Sequence, residues 1–429
     1  MKKVLLFLVI IFGLVQFRCS EEDSPTEPPS IEGISPQFGK VNTNVAINGK
    51  GFGTEVSEIS VTLNGKDVTV VSLNDQQVVV RVPSKAGSGP VVVTKGSTSV
   101  TGPVFAYQYN GIVNTIAGSD HGYVDDTGVD AKFERPLAAT ADASGNIYVA
   151  DTYNNRIRKI DASREVTTFA GVGDGTHKDG TLTTAQFSYP GGIAVANDGT
   201  IYVCDRLYSY IRKISISGDV TSIAGDGFTG SHDGKGIGAG FATPTSLAID
   251  PQGNIIVLDD VGLIRKVTPA GDVTTIAGGG GTGSTDGPGV TAKFNFPSTI
   301  AIDKDGNVFV ADQVNQRIRR ITPDGMVSTV AGSAQGNKTG AVTEAMFNFP
   351  GGVAVDADNN IYVADTRNYQ IKVITAVNTV YTLAGIGTEG AIDGDGETSK
   401  FLYPYSISID KSGDLIVVDA SIIRRIVLQ

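Results

Sequence analysis

The sequence predicts an all-β protein in which a small β-sandwich is followed by a six-bladed β-propeller. A repeat with a spacing of 53 or 54 residues fills the last three quarters of the chain. Each repeat contains four short runs rich in β-branched residues, and none of these runs reaches helical length. Similar runs, separated by turn signals such as Asn48-Gly49 and Asn64-Gly65, occupy residues 31–109. These patterns predict two all-β domains, at 31–109 and 112–429.

Four sequence markers recur in phase once per repeat. Six copies in phase predict six blades of four strands, because radial repetition of four-stranded sheets builds a propeller. Since six-fold repetition argues for architecture, we expect the phenylalanines to wedge between blades and the aspartates to accept hydrogen bonds from backbone or arginine donors. The markers are an Ala-Gly pair beginning at 117, 170, 224, 277, 331 and 384, a phenylalanine at 133, 187, 241, 294, 347 and 401, a proline three residues after each phenylalanine, and an aspartate at 151, 205, 259, 312, 365 and 419.

The phase at the two ends of the repeat region predicts how the ring closes. The region opens with a run from Ile112 to Ala117 that matches a fourth, outer strand. It ends with a run from Ile422 to Leu428 that matches a third strand. We therefore expect the first run to complete the last blade, which hides both sheet edges.

Motifs in both regions resemble known families. The first set resembles NHL repeats, which implies a propeller over the whole repeat region. The second resembles an IPT/TIG domain, which implies an immunoglobulin-like sandwich at 31–109 that acts as a spacer or contact module. The NHL-like motifs are Pro190-Gly191-Gly192-Ile193-Ala194-Val195, Ile201-Tyr202-Val203 with Asp205, Ile211-Arg212-Lys213-Ile214 and Val220-Thr221-Ser222-Ile223-Ala224-Gly225. The IPT/TIG-like motifs are Ile34-Ser35-Pro36, Gly39, Ile47 to Gly53, Val80-Arg81-Val82-Pro83 and Gly89 to Val93.

The N-terminus has the pattern of an export signal. Lys2 and Lys3 precede a short apolar run, and Cys19 is followed by an acidic stretch. This order resembles a bacterial lipoprotein signal, with residues 1–18 as signal peptide, Cys19 as the lipidated residue and 19–30 as a flexible tether. The resemblance implies an exported protein anchored at the outer membrane or cell surface. An ordinary secretory signal with a chance cysteine is the alternative.

Charge excludes one class of partner. The formal net charge is −11, and removal of residues 1–18 with their three positive charges would leave −14. Binding of phosphate backbones needs clustered Lys and Arg, so no nucleic acid is expected as a partner. The membrane is expected to be contacted through the lipid anchor alone. With two cysteines in the chain, a disulfide framework is not possible.

Residues that could carry chemistry are few. No nucleophile elbow, HExxH motif or phosphate loop is present. No cofactor is predicted, although zinc on three histidines or calcium on an aspartate-rich turn stays open. A metal-assisted lyase or hydrolase is therefore the alternative function. The histidines are His121, His177 and His232, each in a loop that joins two blades, and the turn contains Asp356, Asp358 and Asn360.

Aromatic residues at one end of the propeller predict a binding face instead. Rings beside hydrogen-bonding groups suit a glycan or a surface protein as partner, so the first expectation is a binding or scaffold protein. The predicted binding residues are Tyr153, Tyr208, Tyr210, Tyr369, Arg206 and Arg367. A second set next to the repeated prolines could serve the same face or pack between blades, and comprises Tyr189, Phe296, Phe349, Tyr403 and Tyr405, with Arg135 nearby.

Overall fold

The structure is a computed structural model that describes residues 28–429. The predicted signal peptide at 1–18, the lipidation residue Cys19 and most of the predicted tether lie outside the described residues. Within residues 28–429, no helix is long and apolar enough to cross a membrane. Secondary structure is almost entirely strand, as the sequence predicts.

The N-terminal domain is the expected β-sandwich. Alternation of apolar and polar residues places one face of each strand in the core; Val45, Val78 and Val93 are fully buried there. The first sheet contains, in spatial order, strands Ser30–Ser35, Asn44–Lys50, Gln77–Arg81 and Thr69–Asn74. The second contains Phe38–Gly39, Thr98–Tyr107, Gly89–Lys95, Ile59–Leu63 and Lys66–Asp67, and a short 3-10 helix spans Val56–Glu58.

The C-terminal domain is a six-bladed propeller. Within each blade four antiparallel strands run from the inner to the outer edge, and five blades carry a fifth strand of two residues at the outer edge. Blade 1 contains Ala138–Ala141, Ile147–Asp151, Arg156–Ile160 and Val166–Ala170; blade 2 Pro190–Val195, Ile201–Asp205, Tyr210–Ile214, Asp219–Ala224 and Gly180–Thr181; blade 3 Pro244–Ile249, Ile255–Asp259, Ile264–Val267, Asp272–Ala277 and Gly234–Lys235. Blade 4 contains Ile300–Ile302, Val308–Asp312, Arg317–Ile321, Met326–Ala331 and Gly287–Pro288; blade 5 Pro350–Val355, Ile361–Asp365, Gln370–Ile374, Thr379–Ala384 and Gly340–Ala341; blade 6 Pro404–Ile409, Leu415–Asp419, Ile422–Leu428, Gly111–Ala117 and Gly394–Asp395. Short 3-10 helices span Gly128–Asp130, Thr152–Asn154, Gly236–Gly238 and Thr366–Asn368.

The ring closes as the phase of the repeats predicts. Strand Gly111–Ala117 pairs antiparallel with Ile422–Leu428, from Gly111 opposite Leu428 to Ala117 opposite Ile423. The last blade thus takes its outer strand from the start of the repeat region, and both ends of the ring are tied in one sheet. The prediction of closure is confirmed.

The repeated phenylalanines lie between blades, as expected. Phe187 is fully buried in a cluster with Ala150 of blade 1 and Val203 of blade 2. Phe347 occupies the matching place between blades 4 and 5, beside Ala311. Each ring therefore fills the gap that two flat sheets would leave where they diverge from the axis.

Each repeated aspartate belongs to a buried ion pair, named here the blade clamp. In blade 4, Asp312 accepts hydrogen bonds from the Asn295 amide at 2.9 Å and from Arg319 Nη1 at 2.7 Å. Arg319 Nη2 also contacts Asp286 at 2.6 Å, and its guanidinium lies 5.1 Å from the Phe294 ring centre. Aspartate, arginine and phenylalanine thus fix one another, which explains why all three recur. The predicted acceptor role of the aspartates is confirmed.

Blade 5 shows the clamp in a reduced form. There Lys372 replaces arginine and contacts Asp365 at 2.7 Å and the Met346 carbonyl at 3.0 Å. The position of the second aspartate, eight residues before Phe347, holds Thr339. The lysine ammonium contacts one aspartate, whereas the planar arginine guanidinium contacts two. The replacement of arginine by Lys372 therefore accompanies the replacement of the second aspartate by Thr339.

Strand direction alternates within a blade, which defines two ends of the ring. The loops after second and fourth strands lie at one end, here named the upper end; Thr152–Asn154 and Thr366–Asn368 belong to it. The hairpins after first and third strands lie at the lower end; the turn from Asp356 to Asn360 belongs to it. Each loop of the propeller can thus be assigned to the upper or the lower end from the strand that it follows.

The sandwich docks on the lower part of blades 5 and 6. The Tyr109 amide donates to the Tyr381 hydroxyl at 2.8 Å, and Lys85 Nζ lies 3.6 Å from Asp414. Tyr109 also shares a buried apolar cluster with Tyr362 of blade 5. The upper end of the propeller is left uncovered by the sandwich.

Candidate ligand-binding site

A central cavity of about 630 Å³ lies on the propeller axis. The inner strands of all six blades form its wall, from Ala138 in blade 1 to Ile409 in blade 6. Residues of the upper end complete it, including Arg206, Phe296 and Tyr405. The volume suits a ligand of a few sugar rings or amino acids.

The residue after each repeated aspartate decides how polar the cavity is. In blades 1 and 5 this residue is a threonine: the hydroxyls of Thr152 and Thr366 each donate to a proline carbonyl of the next blade at 2.7 Å. In blades 2, 3 and 4 it is Arg206, Asp260 and Gln313, and these three line the cavity. Half of the ring therefore uses this position for packing, and the other half presents charged or amide groups to the cavity.

Four residues directly before the repeated prolines adopt a left-handed backbone. This conformation costs a non-glycine residue about 1–3 kcal/mol, so it persists only where neighbours hold it. The Tyr189 amide donates to Asn155 Oδ1 at 2.9 Å, and the Phe349 amide donates to Gln316 Oε1 at 2.6 Å. The four residues are Arg135 (φ 46°), Tyr189 (φ 53°), Phe296 (φ 46°) and Phe349 (φ 53°).

The left-handed turn brings aromatic rings to the surface of the upper end. Phe296 is 63% exposed, so for this residue the alternative of packing between blades is wrong, whereas Tyr189 is 37% exposed and packs against Tyr153 of the preceding blade. Tyr405, after the last proline, is 38% exposed, and its ring centre lies 4.8 Å from that of Tyr403. Exposed rings in register with a cavity form platforms for a ligand with flat apolar faces.

Arginines accompany these rings. The Arg367 guanidinium lies 3.8 Å from the Phe349 ring centre, and that of Arg135 lies 5.1 Å from the Tyr153 ring centre. Burial raises the pKa of Tyr405, and the positive charges of Arg135 and Arg367 oppose that rise. Both arginines therefore lie close enough to Tyr405 to act on its hydroxyl electrostatically.

Tyr153 packs on one of these rings of the upper end. Its ring packs edge to face on Tyr189, with 5.0 Å between ring centres. Tyr369 is half-buried in the left-handed position that ends the 3-10 helix Thr366–Asn368. Of the predicted binding residues, Arg206 lines the cavity wall, whereas Tyr153 and Arg367 do not line it and instead contact the rings of Tyr189 and Phe349.

Tyr208, Tyr210 and His177 form a separate cluster. The His177 ring stacks on Tyr210 with 4.2 Å between centres and lies 5.9 Å from Tyr208. His177 Nε2 lies 2.8 Å from the hydroxyl of Ser222, a residue of the outer strand of blade 2. Burial lowers the pKa of His177. This cluster thus belongs to the outer part of the upper end and not to the cavity.

The structure does not bring the three histidines together. His121 Nδ1 lies 2.8 Å from the Ser421 hydroxyl, and His232 Nε2 lies 3.7 Å from Asp226. Each of the three histidines therefore has its own local polar partners. In the part of the chain that the structure describes, no three His, Cys, Asp or Glu side chains are grouped so that they could hold a metal ion.

Contacts and burial define the surroundings of Asp356 and Cys204. Asp356 accepts hydrogen bonds from the Asn360 side chain at 2.9 Å and from the Tyr362 hydroxyl at 2.9 Å, so the aspartate-rich turn closes a hairpin. Cys204 is fully buried, and burial raises the pKa of its thiol. Cys204 therefore packs as a small apolar residue.

Asp260 and Gln313 were not singled out from the sequence. A signal for them exists: the position after the repeated aspartate reads Thr, Arg, Asp, Gln, Thr, Ala around the ring. The residue type and charge at that position vary from blade to blade, whereas the aspartate before it is the same in all six. A position that varies in this way is not needed for the packing of the blades. Functional sites on a symmetric ring are expected at such breaks.

Comparison with known families agrees with this fold. Residues 29–109 match the IPT/TIG domain, residues 133–160 match the NHL repeat, and residues 171–375 match the teneurin NHL domain. NHL repeat-containing protein 2 of Gallus gallus is 29% identical over 316 residues, which cover 64% of this chain and 43% of that protein. The chain thus spans less than half the length of this relative.

Solved structures from Bacteroides share the two-domain arrangement. A structural genomics protein of unknown function from Bacteroides thetaiotaomicron superposes with a TM-score of 0.63 at 23% identity, covering 95% of this chain and 99% of that chain. A protein from Bacteroides ovatus described as an auxiliary nutrient binding protein gives a TM-score of 0.57 at 20% identity, with 95% and 99% covered. The chain therefore consists of an immunoglobulin-like IPT/TIG domain followed by a six-bladed β-propeller of NHL repeats.

Proposed function

We propose that this chain is an exported binding protein, anchored at the cell surface through Cys19, whose upper cavity binds a saccharide. One observation carries the proposal: the six-fold ring loses its symmetry at the cavity mouth. There Arg206, Asp260 and Gln313 replace packing residues, and the exposed rings of Phe296 and Tyr405 lie beside them. Ring faces that stack and polar groups that orient are what saccharide recognition needs.

The comparisons support a binding role. The Bacteroides ovatus protein that shares this fold is described as an auxiliary nutrient binding protein, and we propose the same kind of role here. The alternative, a metal-assisted lyase or hydrolase, needs a shared ligand set that three histidines with separate local partners do not provide.

The position of the sandwich supports an outward-facing cavity. Strand Thr98–Tyr107 runs towards the propeller, and Phe38 pairs with Ala106 near its end, whereas Ile31 packs against Gly102 further back. The chain therefore enters the sandwich on the side away from the propeller. An anchor before that point would place the sandwich between the membrane and the lower end, with the cavity mouth facing outward.

Replacing Cys19 by Ser should release the protein from membranes. The lipid would be the only attachment, and a lipidated cysteine provides the apolar area that holds a peripheral protein. We expect wild type in the membrane fraction with incorporated palmitate, and the variant in the soluble fraction. A wild-type protein found soluble, with unmodified Cys19, would contradict the anchor and leave the cavity proposal untouched.

Phe296→Ala and Tyr405→Ala should each weaken saccharide binding about fivefold or more, because one stacked ring contributes about 1–3 kcal/mol to a binding site. Both side chains are substantially exposed, so the melting temperature should change little. Phe228→Ala is the matched control: this ring is 76% exposed and does not line the cavity. The measurement is calorimetric titration with oligosaccharides selected on an immobilised panel.

The outcome of that titration separates the candidates. Equal loss with Phe228→Ala, or unchanged binding in both cavity variants, would place saccharide binding elsewhere. If no member of the panel binds while a surface protein is captured through the same rings, the partner is a protein and not a saccharide.

A further inference from the structure

We propose that the saccharide is anionic, bearing carboxylate or sulfate groups, and that Arg135, Arg206 and Arg367 receive those groups at the cavity mouth. This inference rests on the proposed function and narrows it to a chemical class. It arises from three arginines of the upper end that have no acidic partner, in a protein whose net charge is negative.

The mouth arginines differ from the buried ones in having no acidic partner. The five clamp arginines each lie within 4.0 Å of two aspartates; Arg212, for example, contacts Asp205 and Asp179. Within residues 28–429, no acidic side chain lies within that distance of Arg135, Arg206 or Arg367. In a chain of net charge −11, these three cations have no local acid that would neutralise them, and Asp260 is the acidic residue that shares the cavity wall with Arg206.

Two of these arginines are held by aromatic rings. Arg367 lies on Phe349 and Arg135 lies on Tyr153, at 3.8 Å and 5.1 Å from the ring centres. A ring face orients a guanidinium and restricts its rotamers without neutralising its charge. The N–H fork at the guanidinium edge therefore stays available for a carboxylate or sulfate, which it can bind through two parallel hydrogen bonds.

Arg206 is placed inside the cavity wall. A side chain on Gly191 would come within 2.6 Å of Arg206 Cδ, so the glycine makes room for the arginine stem. Arg206 Nε is buried and has no hydrogen-bond partner within the described residues. The clamp arginines Arg212, Arg265 and Arg424 share this feature, so what Arg206 contributes to the cavity wall is its positive charge, which attracts an entering anionic group.

The spread of the three cations favours an oligosaccharide over a small inorganic anion. They belong to blades 1, 2 and 5, and Tyr405 of the cavity wall belongs to blade 6. A ligand that contacts them together must extend across the mouth and carry several charges. Asp260 is the acidic residue of the cavity wall, and its carboxylate can accept a hydrogen bond from a sugar hydroxyl.

A single-stranded nucleic acid offers the same combination of charge and stacking, but the rest of the molecule opposes it. A polyphosphate carries a charge on every unit and would extend beyond the mouth over an acidic surface. A short acidic saccharide can place its charged units on the three arginines alone. An oligonucleotide is therefore an arm of the test.

The test compares an oligogalacturonate hexamer with its fully methyl-esterified form, in which the ring chemistry is retained and the charge is removed. A sulfated glycosaminoglycan hexasaccharide and an eight-residue oligothymidylate complete the set. We expect either acidic saccharide to bind at least tenfold more tightly than the ester, and binding to weaken as salt rises from 50 to 500 mM, because exposed charges are screened.

Arginine variants locate the effect. Arg206→Gln and the pair Arg135→Gln with Arg367→Gln should each reduce affinity for the acidic saccharide at least tenfold. Arg164→Gln is the control, since this exposed arginine lies in a hairpin at the lower end. Melting temperatures of all variants are measured alongside, so that lost binding is not confused with unfolding.

Each outcome of these measurements either supports or overturns the assignment of an anionic saccharide. Preference for the acidic saccharides that is lost in the mouth variants supports the inference. Equal binding of hexamer and ester, abolished by Phe296→Ala, overturns the anionic class and leaves the proposed function standing. Binding of oligothymidylate alone overturns both, whereas binding of none of the four probes overturns the anionic class and leaves the proposed function to the oligosaccharide panel.

Discussion

Replacing Val113 by Asp is expected to open the propeller ring and to cost several kcal/mol of stability. Val113 is fully buried in the strand that closes blade 6, opposite Ile426. An unpaired carboxylate there lacks any partner for its charge, and an uncompensated buried charge costs about 3–5 kcal/mol. Opening would expose the edge of Ile422–Leu428, whose unpaired backbone groups are prone to pair with another chain.

The neighbouring residue supplies the control. Asn114 lies on the same strand opposite Arg425 and is exposed, so Asn114→Asp introduces the same charge without burying it. We expect a large fall in melting temperature and aggregation on size-exclusion chromatography for the first variant, with near wild-type behaviour for the second. A monomeric Val113→Asp protein with unchanged melting would mean that ring closure does not depend on this strand.

Replacing Arg319 by Met should be the second most damaging change. The methionine fills most of the volume, but Asp312 keeps its buried place without its strongest partner. Removing one partner of a buried pair typically costs about 3–5 kcal/mol. Blade 4 should loosen first, visible as faster amide exchange in Val308–Asp312 and Arg317–Ile321.

The loss in Arg319→Met should depend on pH in a defined direction. Burial already raises the pKa of Asp312, and Arg319 opposes that rise, so the substitution should raise the pKa further. A carboxyl with a raised folded-state pKa contributes its stability below the unfolded pKa and loses it as pH rises through the folded one. The variant should therefore be closer to wild type at pH 5 than at pH 8, by chemical denaturation at both values.

Blade 5 suggests how to repair the clamp. Its natural form pairs Lys372 with Asp365 and has Thr339 in place of a second acid. Arg319→Lys should destabilise blade 4 less when Asp286→Thr is also present, because the lysine then faces one acid. Additive effects of the two changes would show that the positions are not coupled.

The repeat pattern predicted the architecture because one physical constraint recurs at each blade. Every pair of neighbouring blades needs a phenylalanine between the sheets and a buried pair of aspartate with arginine or lysine. Phe347, Asp365 and their equivalents therefore recur in phase, and their number and phase predict the number of blades and the closure of the ring. The strand content followed from the same phase, since Ile361–Asp365 and its counterparts alternate with turns. Fold prediction succeeded where every copy carries the same signal.

The cavity lining could be predicted only in part, because it depends on single breaks in that pattern. The left-handed turn before the prolines carries Phe296 outward, and no repeat-level signal shows this. The three histidines lie in loops that join two blades, and none of them lines the cavity. In blade 2 the loop first adds strand Gly180–Thr181 to the outer edge, which holds His177 beside Ser222, away from the axis.

The cavity as binding site is tested most directly by the structure of this protein bound to the oligosaccharide that titrates most tightly. We predict that the saccharide occupies the axial cavity at the upper end, with a ring against Phe296 or Tyr405 and an anionic group within hydrogen-bond distance of Arg206. A saccharide bound on the sandwich, on the lower hairpins or in the outer cluster around Tyr210, with the cavity free of saccharide, would contradict the account.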